Sequence, residues 1–475
     1  MYASHRTTRD YLWNTFAIAA WGAVFPLLTV VVTQLVGVEQ AGMFAMAFVT
    51  GTLLMFIGNY GIRTYQVSDI KETNSFSEYQ MNRWITCAIM VVIGLLYCLI
   101  RGYAADMFAI SIGVYCYRMI DGLADVYEGR LQQMDKLYLA GISQTIRSIL
   151  AMVVFTVCLL ITHNLVASCF AMAIAAGLSF FVVTFPLALL ETPKSRGRNF
   201  TRIITLFKRC FPLFIALFAY ALIDAMPRLI MEGVLTYDNQ LYFNAMFFPA
   251  VSIVLIIGLI YKPQLLRMAS LWDDQKQHRK FDLIVIFVLL IIVVLTGFMI
   301  LLIGWVGIPL FSWMYGVDFE QFRGLFYVLM VAGGITAIID FLYQVITVLR
   351  KQMAVMKLYI VTFGFALFIP ILLINFTGLP GAVMSYLIVM SILLVLLVME
   401  LFRIRYSFKR ELAEQKASEA RYRRLSELGL NRDRMEERGA EKSFERSSGE
   451  RGGERGSERG AEKSGDRDVE RPKYY

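Results

Sequence analysis

The chain has 475 residues, 57% of them hydrophobic and only 17% charged, with a formal net charge of +9. That is too apolar for a soluble domain and directs the reading to the lipid bilayer. Cys87, Cys98, Cys116, Cys158, Cys169 and Cys210 all fall within or at the ends of apolar runs, and His5, His163 and His278 are far apart. A disulfide framework, a zinc site or a heme site is not expected from such spacing, and no cofactor is assigned.

A span needs roughly 20 apolar residues to cross the ~30 Å hydrocarbon layer. Twelve stretches qualify, at 11–36, 42–62, 84–101, 107–127, 139–162, 165–190, 210–235, 242–261, 281–305, 324–349, 358–376 and 381–402. Met1–Asp10 is polar and the run after it is too long for the core of a secretory signal, so the first span is read as a retained helix. Nearly all Lys and Arg sit in alternate gaps, as in Arg63/Lys71/Arg83, Arg130/Lys136 and Arg350/Lys351/Lys357, whereas the other gaps hold Arg101 and Arg323 at span edges. Short loops rich in Lys and Arg stay cytoplasmic, which predicts a multi-pass protein of the cytoplasmic membrane with both termini inside.

The most charged internal loop divides the bundle into halves of six spans. The expected organisation is a cytoplasmic N-terminus (1–10), a first half (11–190), a linking loop (191–209), a second half (210–402), a juxtamembrane basic segment (403–430) and a disordered tail (431–475). Equal halves suggest a structural repeat, a common way to build alternating access. Both halves open on a span containing proline, Pro26 in one and Pro212 and Pro227 in the other. The longest outer loop, around Gly307–Phe322, is too short for a folded domain, which argues against a polysaccharide polymerase or ligase. Arg403, Arg405, Lys409 and Arg410 suit anionic headgroups. Beyond them, four-residue units such as Glu454-Arg455-Gly456-Ser457 lack the apolar residues that could offset chain entropy.

Ionised side chains inside a bilayer cost roughly 2.5–3.5 kcal/mol each on the insertion scale, so those present are the site candidates. The fourth span carries Arg118, Asp121, Asp125 and Glu128 on one helical face. The fifth adds Ser143, Gln144 and Arg147; the seventh has Asp224, Arg228 and Glu232 at successive i, i+4 positions; the tenth has Asp340, Tyr343 and Gln344. Asn14, Gln34 and Asn59 are neutral polar groups on the first two spans. Asp224 and Arg228 either neutralise each other or face a cavity. The substrate-binding set expected from the residues is Arg118, Asp121, Arg147, Asp224, Arg228, Asp340 and Gln344. Arginine grips phosphate oxygens bidentately, so Arg118, Arg147 and Arg228 suit an anionic, phosphate-bearing substrate. No phosphate-cradling Gly-x4-Gly-Lys-Ser/Thr loop occurs, which leaves a gradient or the substrate itself as the energy source, with H+ or Na+ coupling open.

Several short segments, in their order along the chain, resemble bacterial polysaccharide-unit flippases. They are Gly37–Gly42, Gly61–Lys71, Pro227-Arg228, Asn244–Ile260 with Lys262-Pro263, Met314–Asp318, Val348–Gln352 and Gly378–Ala382. The resemblance covers about residues 10–402 and is to the polysaccharide branch of the multidrug/oligosaccharidyl-lipid/polysaccharide exporter superfamily. It implies an all-α bundle of 12 transmembrane helices in two six-helix lobes around a central cavity. It also implies translocation of an undecaprenyl-pyrophosphate-linked oligosaccharide, with membrane lipids and polysaccharide-assembly proteins such as the polymerase as partners, and neither enzymatic activity nor a nucleic-acid ligand. A multidrug exporter or a peptidoglycan-precursor flippase of the same fold is the alternative; a membrane-bound glycan transferase would rest on Asp125 and Glu128 alone.

Overall fold

The computed structural model describes residues 2–69, 72–194, 197–273, 277–349 and 351–449. Among them every regular element is helical. Twelve helices are long and apolar enough to span a bilayer: α1 (Arg9–Val36), α2 (Val38–Asn59), α3 (Phe76–Arg101), α4 (Ala105–Gln133), α5 (Leu137–Thr162), α6 (Leu165–Leu190), α7 (Phe200–Val234), α8 (Tyr237–Tyr261), α9 (His278–Tyr315), α10 (Glu320–Val348), α11 (Met353–Thr377) and α12 (Leu379–Phe408). Their surface inverts the soluble pattern. Arg83, Arg130 and Arg147 are fully buried, while Ile100, Leu190 and Trp305 are more than four-fifths exposed. Lipid is the solvent that such an exterior matches.

The helices run further than hydropathy marks them, for identifiable local reasons. α3 starts at Phe76 rather than 84 because Ser75 and Glu78 form a capping box that satisfies the first amides of the helix. α7 starts at Phe200, inside the segment read as a loop, where the Asn199 side chain caps the Thr201 amide. α9 continues to Tyr315, so the expected 307–322 loop shrinks to a tight turn after Gly316, whose left-handed conformation ends the helix. In α6 and α9 a wider π-helical turn, Phe180–Thr184 and Ile303–Gly307, ends two residues before Pro186 and Pro309. A proline ring clashes with the carbonyl four residues back and withholds an amide, and one widened turn relieves both.

Two compact units are distinguished, Met1–Leu401 and Phe402–Tyr475. The last helix extends to Gly449, so residues 431–449 are helical where the sequence reading begins irregular chain. Long-chain Glu, Arg and Lys are good helix formers, and the dense glycine repeats start only at Glu450. Those repeats lie outside the described residues.

Within the bundle the two halves of six helices each form a lobe. In the first, α1 packs on α5, α4 on α2 and α6, and α3 on α4; in the second, α7 packs on α11 and α10 on α8 and α9. α2 is shared, lying against both α7 and α8, whereas α1 touches α8 only lightly. The loops rich in Lys and Arg define one end of the bundle, called here the basic end; Arg101 and Glu232 mark the far end.

Candidate functional site: a cavity with one arginine from each lobe

A cavity of about 370 Å³ lies between the lobes, walled by α1, α2 and α4 on one side and α7 and α8 on the other. Its surface is mostly aromatic and aliphatic, and its charged groups are Arg118, Asp224 and Arg228. Pro26 has no N–H to offer the carbonyl of Gly22, and both residues line the cavity, so α1 presents a backbone acceptor there.

Arg118 is held from three sides. Its guanidinium lies 4.2 Å from the Phe48 ring centroid and 5.0 Å from that of Trp21. It donates to Thr52 Oγ1 at 2.9 Å and pairs with Asp121 at 3.3 Å. Behind it, Arg147 donates from Nε to Asp121 at 2.9 Å and from Nη1 to Glu128 at 2.6 Å, and Trp21 Nε1 donates to Asp121 at 3.1 Å. Towards the basic end, Asp125 accepts from Arg63 at 2.6 Å and Arg83 at 2.7 Å. Burial opposes the charge on Arg63, but Asp125 and Glu128 outweigh it and hold that guanidinium more firmly protonated than usual.

This first-lobe network contains four arginines (63, 83, 118, 147) and three carboxylates (121, 125, 128), an excess of one positive charge. Arg118 is the member of this network that lines the cavity.

The second lobe presents Arg228, whose guanidinium lies 4.8 Å from the Phe247 ring. Arg228 pairs with Asp224, and Tyr386 donates to the other Asp224 oxygen at 3.0 Å. Nε of Arg118 and Nε of Arg228 are both buried without a partner among the described residues. Each arginine thus keeps donor capacity while its flat face rests on a phenylalanine, one from α2 and one from α8.

The expected site residues therefore divide. Arg118, Asp224 and Arg228 line the cavity, and Asp121 stands directly behind Arg118. Arg147 does not line it: the side chain is 2% exposed and lies between two carboxylates, so its role is internal neutralisation. Asp340 accepts from Tyr261 at 2.5 Å away from the cavity wall, and Gln344 lies a turn further along α10. Trp21, Phe48, Thr52 and Tyr386 escape a sequence reading because aromatic and hydroxyl residues are ordinary in membrane helices. Arg83 escapes it because, counted as a loop charge, it belongs in fact to the buried first turns of α3.

No protein-family model matches the chain, and no curated protein matches it in sequence. Solved structures do match. Lipid II flippase MurJ, in an inward closed conformation, aligns with a TM-score of 0.63 at 11% identity, over 82% of this chain and 87% of that one. A multidrug resistance MATE family transporter of the MOP superfamily, inward-facing, gives 0.61 at 12% identity over 83% and 96%. The Vibrio cholerae MATE transporter VcmN in its bent form gives 0.54 at 14% identity over 84% and 98%. The fold is that of the MOP exporter superfamily. At such identities the likeness carries the fold alone. Within the MOP fold, the ligand has to be argued from the cavity.

Proposed function

We propose that this chain is a flippase that carries an undecaprenyl-pyrophosphate-linked oligosaccharide across the cytoplasmic membrane for surface polysaccharide synthesis. The observation that supports it is the pair Arg118 and Arg228, one from each lobe, lining a single, otherwise mostly apolar cavity. Two guanidiniums lining one cavity suit the several oxygens of a pyrophosphate. An exporter of hydrophobic cations would need an uncommitted carboxylate, whereas Asp224 is already held by Arg228 and Tyr386. At about 370 Å³ the cavity takes the pyrophosphate and the adjoining sugar, not a whole repeat unit with its polyprenyl chain. Both lobes gripping one anion ties the relative position of the lobes to occupancy, which is what alternating access requires.

The basic end faces the cytoplasm in this reading, with both termini inside. A cysteine at Lys194, exposed in the linking loop, reports it: an impermeant maleimide labels inverted vesicles but not intact cells. Substrate is tested in proteoliposomes with a fluorescent polyprenyl-pyrophosphate saccharide. Arg118→Ala and Arg228→Ala each abolish flipping, and the Lys replacements restore part of it, since charge survives but the bidentate fork does not. Wild-type flipping by the double alanine variant refutes the assignment; export of cationic dyes by the native protein instead favours the multidrug reading.

A further inference from the structure

Glu232 stands at the far end of α7, two residues before the helix stops. Its side chain is 1% exposed. All its partners among the described residues come from the other lobe: Tyr97 donates to Oε2 at 2.8 Å, Tyr103 donates to Oε1, and Arg101 pairs with Oε2 at 3.1 Å.

Two more cross-lobe contacts lie at the same end. Gln34 of α1 donates to the Met314 carbonyl at 2.8 Å. A β-carbon on Gly42 of α2 would fall 1.9 Å from the Tyr237 carbonyl oxygen, so α2 and the start of α8 meet backbone to backbone. The lobes are in contact here, while a cavity separates them deeper in the membrane.

We propose that Glu232 is the latch of the far end, and that its release from Tyr97, Arg101 and Tyr103 opens the cavity to that side. An ion pair within one lobe is blind to where the other lobe lies; this one exists only when the two meet. Its chemistry suits a reversible closure. A buried carboxylate needs its donors while the seam is dry, yet all four groups are readily hydrated once the lobes part, so opening exchanges protein hydrogen bonds for water. An apolar seal would instead resist opening by the full area exposed. The proposal is independent of the substrate's identity.

The test measures the seam itself. Nitroxide labels are placed on cysteines at exposed Asp106 and Thr236, on either side of the far end, with Cys116 and Cys158 replaced by serine and the four buried cysteines kept. Electron–electron double resonance on this labelled full-length protein, otherwise unchanged, in nanodiscs is expected to give one short distance. Glu232→Gln should add a longer-distance population, and Tyr97→Phe/Tyr103→Phe a smaller one. Tyr103→Phe alone removes a single donor without changing charge, and decides the matter if the Gln variant fails to fold. Distances unchanged in all the variants overturn the latch, including the case where yield falls without any shift, because that outcome assigns Glu232 to folding only.

Discussion

Replacing Arg147 by Met should be among the most damaging single changes in the first lobe, although Arg147 does not line the cavity between the lobes. The substitution keeps length and bulk but leaves Asp121 and Glu128, 1% and 3% exposed, without their shared cation. Removing one partner of a buried ion pair typically costs about 3–5 kcal/mol, because the charge left behind is not resolvated. Asp121 retains Arg118 at 3.3 Å and the Trp21 N–H, so most of that cost falls on Glu128, which among the described residues keeps Ser143 at 3.4 Å and Arg63 at 4.0 Å. At 1.4 kcal/mol per factor of ten, the ratio of folded to unfolded protein falls by roughly two to three and a half orders of magnitude. Detergent-solubilised variants are compared by the temperature at which half the protein leaves the monodisperse peak on size exclusion. The double variant Arg147→Met/Glu128→Gln removes the carboxylate that loses most, keeps Asp121 as the partner of Arg118, and should recover much of the loss. Arg147→Met matching the native midpoint would refute the reasoning, since the carboxylates would then have to be neutral without it.

Gly42→Ala should push α2 from α8, because its β-carbon meets backbone rather than a movable side chain; overpacking costs about 1–3 kcal/mol, read as reduced yield and a lower midpoint. Asp69 accepts from the Thr73 amide at 2.8 Å, the Thr73 hydroxyl at 2.6 Å, the Asn74 amide at 2.9 Å and Tyr79. Partial burial opposes the charge, yet these hydrogen bonds hold its carboxyl below the ordinary range. With the folded pKa depressed, its contribution is present at neutral pH and lost as pH falls through that depressed value. Protection of the Thr73 and Asn74 amides should therefore drop in strong acid, and Asp69→Asn should weaken it already at neutral pH. Truncation after Leu430 is expected to leave transport intact, whereas neutralising Arg403, Arg405, Lys409 and Arg410 together lowers membrane yield, at about 1 kcal/mol per charge near an anionic surface.

Hydropathy alone was enough for the twelve helices, because lipid demands long apolar runs and tolerates few exceptions. Boundaries were less legible: Ser75 with Glu78 is a readable capping box, but a hydropathy window begins where the apolar residues begin. Charge inside the membrane pointed to Arg118, Asp224 and Arg228, which do line the cavity. It could not separate them from Arg147, since both kinds of arginine obey the same rule of being buried and paired. Only the fold distinguishes a guanidinium with two carboxylates of its own from one with a free face. Glu232 was visible as the third acid of a stripe, but its partners lie 129 and 135 residues away in sequence and no local pattern joins them.

The shared position of α2 bears on how a cargo gets in. The lobes are bound along that helix like pages along a spine, and they face each other more freely across α1 and α8. If the cargo is the lipid-linked saccharide proposed above, arriving between α1 and α8 brings it sideways out of the bilayer, with its hydrocarbon never leaving oil. What has to be wetted, gripped and turned over is then the head alone. The chain's length drops out of the energetics, and a tail of any number of carbons crosses at the same cost.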